Sequence, residues 1–258
     1  MALEGALQDP LVLLFALAFL PALVYLTGLA LRHPGKSVHL ALPGFFYGAT
    51  LSLVVLALLY VLLALAVGNP ARAFQGFFAE RHINEDVQRD FVFIVVLAPV
   101  MEELAKGFGV WLFAGRVQTR RDGVLLGASV GLGFAGVETF TYLLAAAGDT
   151  SSGFAGASLL GVLVLAGIRS ISSAFVHPAA TGLTGFGLAK ARLRGLPAVA
   201  ALPFFLLAVV LHATYNYLAG FLPPQAVGGY TVELNLLAAL ALAGIAWGAL
   251  KRGVASRA

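Results

Sequence analysis

Seven ionisable side chains stand inside the apolar runs of this 258-residue chain: Glu102, Glu103, Lys106, Glu138, Arg169, His177 and His212. At the centre of a bilayer each costs about 2.5 to 3.5 kcal/mol to insert, so each needs a partner or a role. Glu102 and Lys106 are i, i+4 neighbours with Glu103 about 100° around the same helix, and His212 and Asn216 repeat the i, i+4 relation further along. Lys106 with Glu102 and Arg169 with Glu138 can form neutralising ion pairs, which makes the two cations counter-ions. A third acid, two histidines and an asparagine are left over. Adjacent carboxylates in a low dielectric resist double ionisation, which suits a group that must exchange a proton. A carboxylate that activates water, with a second group to stabilise an oxyanion, is the minimum for hydrolysing a peptide bond inside a membrane.

Other chemistries fail on particular residues. The chain has no cysteine, which removes disulfides, thiolate metal sites and a cysteine nucleophile. It has no His-Glu-x-x-His, and Asp9, Asp86, Asp90, Asp122 and Asp149 all fall at the ends of apolar runs, which argues against an aspartate dyad. Ser129, the candidate serine nucleophile, lies about 8 Å from the inner boundary of its run, too far from His212.

The elements that must position these groups are membrane spans. The composition, 60% hydrophobic and 11% charged, is that of a membrane protein rather than a soluble domain. Stretches near 11–31, 40–67, 91–115, 124–147, 157–189, 198–220 and 232–250 are each long and apolar enough to cross. The chain therefore reads as an all-α, polytopic membrane protein of seven transmembrane helices, one domain over 1–258 with a motif-bearing core at about 91–220. The fifth stretch is long, and Pro178 predicts a kink or break in it. The net charge of +4 comes from basic residues in short connections, so orientation rather than nucleic acid explains it. Arg32 and Lys36, Arg116 to Arg121, Lys190 to Arg194 and Lys251 to Arg257 occupy alternate connections and the C-terminal tail, which predicts an outside N-terminus and a cytoplasmic C-terminus. Glu4 and Asp9 precede the first run with no basic residue, unlike a cleavable signal peptide. In the 68–90 loop, Phe74, Phe77 and Phe78 among charges fit either a short interfacial helix or a solvated hairpin, and His82 there reads as surface.

Counted from the cytoplasmic ends of their spans, Glu102, Glu138, His177 and His212 all lie roughly 18 to 21 Å deep, in one layer nearer the outer face. Gly123, Gly127, Gly131, Phe134 and Glu138 share one helical stripe, a small-residue packing face that turns Glu138 into the bundle. Ser170, Ser173, His177, Thr181 and Thr184 form a polar stripe on the fifth run.

At these residues the chain resembles the PrsW intramembrane proteases, and more distantly the CAAX-prenyl and bacteriocin-processing proteases and the scaffold subunit of gamma-secretase. The resemblance runs from Pro99 to Tyr217 through Glu102-Glu103-x-x-Lys106, Phe134-x-x-x-Glu138 and His212-x-x-x-Asn216, with His177 between the last two. At Asn216 PrsW proteins typically carry Asp, whereas the CAAX-type relatives carry Asn. The resemblance implies a cell-membrane enzyme that cleaves membrane-anchored proteins, such as anti-sigma factors, on the extracytoplasmic side.

Two mechanisms fit the residues. In one, Glu102 or Glu103 is the general base, Glu138 shares the water, and His212 with Asn216 donates to the oxyanion. In the other, Glu138, His177 and His212 bind zinc with an open position for water, and a glutamate of the pair is the base. A proton-coupled transporter would also use buried Glu and His, but no inverted repeat is visible in the sequence. A catalytically silent scaffold would have no need of both Glu102 and Glu103.

Overall fold

The computed structural model describes residues 10–33, 38–68, 85–148, 159–221, 225–227, 230–232 and 234–255. The loop aromatics Phe74, Phe77 and Phe78, and His82, lie outside the described residues. Among the described residues the chain is helical apart from one antiparallel ribbon, β1 (Gln225–Val227) with β2 (Tyr230–Val232). The helices are α1 (Pro10–Arg32), α2 (Val38–Ala49), α3 (Leu51–Val67), α4 (Glu85–Phe91), α5 (Ala98–Leu112), α6 (Arg120–Gly148), α7 (Leu159–Ile171), α8 (Ser173–Leu193), α9 (Leu202–Gly220) and α10 (Leu234–Ala255). A π-helical segment, Val92–Leu97, joins α4 to α5.

Among the described residues five helical stretches are long and apolar enough to cross a membrane, Pro10–Arg32, Arg120–Gly148, Leu160–Leu193, Ala198–Gly220 and Leu236–Val254, and α2 with α3 adds a sixth if taken as one bent span. The protein is thus a multi-pass membrane protein. The third stretch expected from sequence is the α4, π, α5 helix, which lacks that apolar length because it carries Glu102, Glu103 and Lys106.

α6 is the central element. Its first half is buried nearly all round, from Asp122 to Gly136, as expected of a helix surrounded by others. A capping box starts it: the Asp122 amide donates to Thr119 Oγ1 at 3.2 Å, and Asp122 Oδ2 accepts the Thr119 amide at 2.8 Å. On one face, a Cβ at Gly131 would meet the His177 carbonyl at 2.5 Å and Pro178 Cα at 2.6 Å. Only glycine lets α6 approach α8 so closely, and that approach sets the distance between Glu138 and His177. A second glycine face, not apparent from the stripe, joins α6 to α2: a Cβ at Gly133 would collide with the Phe45 carbonyl, and one at Gly48 with the Val130 carbonyl.

Two breaks differ from the sequence expectation. The second stretch bends by 46° between α2 and α3. There Thr50 Oγ1 donates to the Phe46 carbonyl at 2.6 Å and Ser52 Oγ to the Gly48 carbonyl at 2.6 Å, the side-chain back-bonding that bends helices. In the fifth stretch Pro178 lies inside α8, and the interruption comes at Ser172. The carbonyl that the Pro178 ring deprives of a donor is that of Ala174, inside α8, so the interruption at Ser172 lies beyond the direct reach of the proline.

Candidate active site

α5, α8 and α9 bring Glu102, Glu103, Lys106, His177 and His212 into contact, and α6 adds Glu138 on the far side of His177. Lys106 is wholly buried, and its Nζ lies 2.6 Å from Glu103 Oε1, 3.1 Å from His177 Nδ1 and 3.8 Å from Glu102 Oε2. The Phe134 ring is 4.4 Å below it, a cation–π contact that gives the Phe134 of the motif its place. The sequence pairs Lys106 with Glu102, whereas the structure makes Glu103 the closer partner. Both acids are within a turn of Lys106, and the choice is made by tertiary neighbours.

Those neighbours saturate Glu103. Besides Lys106 it accepts Thr181 Oγ1 at 3.1 Å from α8 and His212 Nδ1 at 3.1 Å from α9. A wholly buried carboxylate holding three donors is suited to orienting them rather than to taking up a proton. Glu102 is its opposite. Its side chain is 13% exposed, and its buried Oε2 has no hydrogen-bond partner among the described residues, the nearest charged groups being His212 Nε2 at 3.7 Å and Lys106.

Glu138 is held from three sides: Arg169 Nη2 donates to its Oε2 at 2.6 Å, Ser173 Oγ at 3.1 Å and His177 Nε2 at 2.8 Å. The expected Arg169 counter-ion is therefore present, and the guanidinium also lies 3.9 Å over the Tyr142 ring. His177 is consequently fixed in one tautomer. The Lys106 ammonium can only donate, so Nδ1 accepts, and the proton sits on Nε2 facing Glu138. The two imidazoles meet edge to face with centroids 4.6 Å apart.

Asn216 stands apart from this ring. Its Nδ2 donates to the Ile94 carbonyl at 2.8 Å, in the π-helical segment. Ser129, buried on α6, spends its hydroxyl on the Leu125 carbonyl at 2.7 Å. Sequence reasoning did not single out Tyr47, whose hydroxyl donates to the Ala105 carbonyl at 2.9 Å and ties α2 to α5 between Glu103 and Lys106. A lone tyrosine in an apolar run carries no signal for such a bond.

Multi-pass helices closed around a buried carboxylate, imidazole and ammonium cluster define an enzyme-like centre inside a membrane protein. The chain belongs to the PrsW family intramembrane metalloproteases, whose family model matches residues 36–247. Neither a curated protein nor a solved structure matches it.

The family name implies a metal. Glu102, His177 and His212 each present a ligand atom within 4.8 Å of the others, and among the described residues they alone form such a trio. One carboxylate and two imidazoles is an accepted catalytic set for zinc, and the orphaned Glu102 Oε2 is a donor free to serve it. The residues fit provided that His177 exchanges one of its two ring hydrogen bonds, Nδ1 to Lys106 or Nε2 to Glu138, for the ion. This trio differs from the expected Glu138, His177 and His212 in its carboxylate.

Proposed function

We propose that the protein hydrolyses peptide bonds of membrane-spanning proteins, anti-sigma-factor-like in being membrane-anchored, with Glu102 as the general base. The observation that carries this reading is the asymmetry of the acid pair: Glu103 holds three donors, and Glu102 has a buried oxygen with no hydrogen bond among the described residues. Glu102 takes the proton of the attacking water and passes it to the leaving amine nitrogen as the C–N bond breaks. Glu103 holds the Nδ1 proton of His212 and so directs Nε2 towards Glu102 and the reacting carbonyl. Protonated, that Nε2 donates to the oxyanion. Glu138 fixes His177 and is itself fixed by Arg169, which keeps the site in shape while a substrate is seated. In the alternative, Glu102, His177 and His212 would hold a metal ion, serving as ligands rather than as base and oxyanion donor, and the ion would polarise the carbonyl and acidify a water.

The test is cleavage of a single-span model substrate by purified protein in bilayers, with and without a chelator. Specific cleavage is the expected result, and its absence against a panel of single-span substrates overturns the reading. Loss of cleavage on chelation, restored by zinc, assigns the trio to a metal, whereas indifference to chelator assigns the water to Glu102 alone.

The basic connections support seven spans, with the N-terminus outside, the C-terminus cytoplasmic, and the site nearer the extracytoplasmic face. Cysteines replacing Arg120 and Arg194 are then expected to react with impermeant maleimide only from the cytoplasm. Labelling of position 194 from outside would mean that the α7 and α8 stretch crosses twice.

A further inference from the structure

Pro99 leaves a gap in the backbone hydrogen bonding just before the acid pair. The Ala98 amide donates five residues back, to the Phe93 carbonyl, and Pro99 has no N–H. The Ile94 carbonyl therefore lacks both its α-helical donor, residue 98, and its π-helical donor, residue 99. Asn216 Nδ2 fills that vacancy at 2.8 Å. One turn earlier on α9, His212 Nδ1 reaches Glu103 at 3.1 Å. A single face of α9 thus grips the same helix on both sides of Pro99, at Ile94 and at Glu103. Phe91 reinforces the upper grip, packing edge to face on Tyr217 at 6.4 Å and Phe221 at 5.5 Å.

We propose that Asn216 is a positioning residue: it locks the π-helical register that Pro99 opens, and so fixes the rotation at which Glu102 and Glu103 are presented to His212. A π turn holds one residue more than an α turn, so a slip between the two registers turns one side of Pro99 by about 100° against the other. Donation to the freed carbonyl opposes that slip, and it leaves no need for the Asn216 amide to touch the reacting atoms. The catalytic consequence rests on the role proposed above for Glu102, whereas the backbone consequence does not.

The experiment compares wild type, Asn216→Ala, Pro99→Ala and the double variant in bilayers, by amide hydrogen exchange over residues 94–104 and by kcat and KM on a single-span substrate. Asn216→Ala is expected to speed exchange in this segment about tenfold, as for loss of one hydrogen bond of about 1.4 kcal/mol, and to lower kcat by up to about 10²-fold with KM unchanged. Adding Pro99→Ala supplies the missing N–H and should return exchange to wild-type protection; if the single variant fails to fold, the double variant should fold. Unchanged exchange in Asn216→Ala overturns the proposal, and if kcat nevertheless falls, the amide acts on the substrate directly. Failure of Pro99→Ala to restore protection also overturns it. Wild type that cuts no substrate would defeat the proteolytic reading while leaving the exchange result to decide this one.

Discussion

Glu102→Gln is expected to lower cleavage about 10²- to 10⁴-fold, the usual cost of losing a general base, with little change in melting temperature. Glutamine keeps the volume but cannot take a proton from water. Stability should survive because Glu102 Oε2 makes no hydrogen bond among the described residues, and Lys106 retains Glu103 at 2.6 Å. Glu103→Gln is expected to behave differently, although it is the adjacent residue with the same chemistry. It would strip Lys106 of its close counter-charge and His212 of its orienting carboxylate, so it should lower activity and also destabilise the fold by about 3 to 5 kcal/mol, the cost of leaving a buried charge uncompensated. Cleavage rate and melting temperature measured on both variants separate the roles. A Glu102→Gln protein that cuts at near wild-type rate, beside a stable but inactive Glu103→Gln protein, would exchange them.

The polar cluster was legible in sequence because ionisable groups are costly in hydrocarbon, so the few present had to meet. The division of labour within the cluster was not legible. Residues i+3 and i+4 both lie within reach of a carboxylate, so Lys106 could have belonged to either acid until Thr181 and His212, on other helices, engaged Glu103. Likewise Glu138, His177 and His212 made a plausible ligand trio while Arg169 was read as a counter-ion alone. In the structure Arg169, Ser173 and His177 converge on one oxygen of Glu138, and the trio whose ligand atoms lie together includes Glu102 instead. The glycine stripe on α6 was visible at its spacing of four, but the second face towards α2 was not, since Gly48 lies about 80 residues before the Val130 it meets. Local chemistry also misdirected: Pro178 pointed to a break at its own position, whereas α8 runs through it and the interruption is at Ser172, and the break at Thr50 arose from a hydroxyl that any helix-length count passes over. Pro99 carried a legible signal that a carbonyl upstream would lose its donor. The replacement donor, 117 residues further along at Asn216, could come only from the fold.

Lys106→Met should damage stability as much as Glu103→Gln does, and its rescue is diagnostic. Methionine fills most of the same space but leaves the Glu103 carboxylate fully buried with only Thr181 and His212 as donors, and removes the proton donor from His177 Nδ1. The expected loss is about 3 to 5 kcal/mol, the range for breaking a buried pair from one side. Neutralising both partners, Lys106→Met with Glu103→Gln, removes the unpaired charge, and most of that stability should return, because replacing both members of a buried pair is often close to neutral. Activity should not return with it. In the double variant His212 would lean on a neutral amide instead of a carboxylate, which can accept from Nδ1 but no longer supports positive charge on the ring, so oxyanion donation from Nε2 would remain weak. The four proteins of this cycle, compared by melting temperature and by cleavage, should show strong positive coupling in stability and none of it in rate. If Lys106→Met melts like wild type, or if the double variant is no more stable than the worse single one, then the ammonium is not the charge that holds the carboxylates together, and the frame proposed for Glu102 has to be rebuilt around His177 and Arg169.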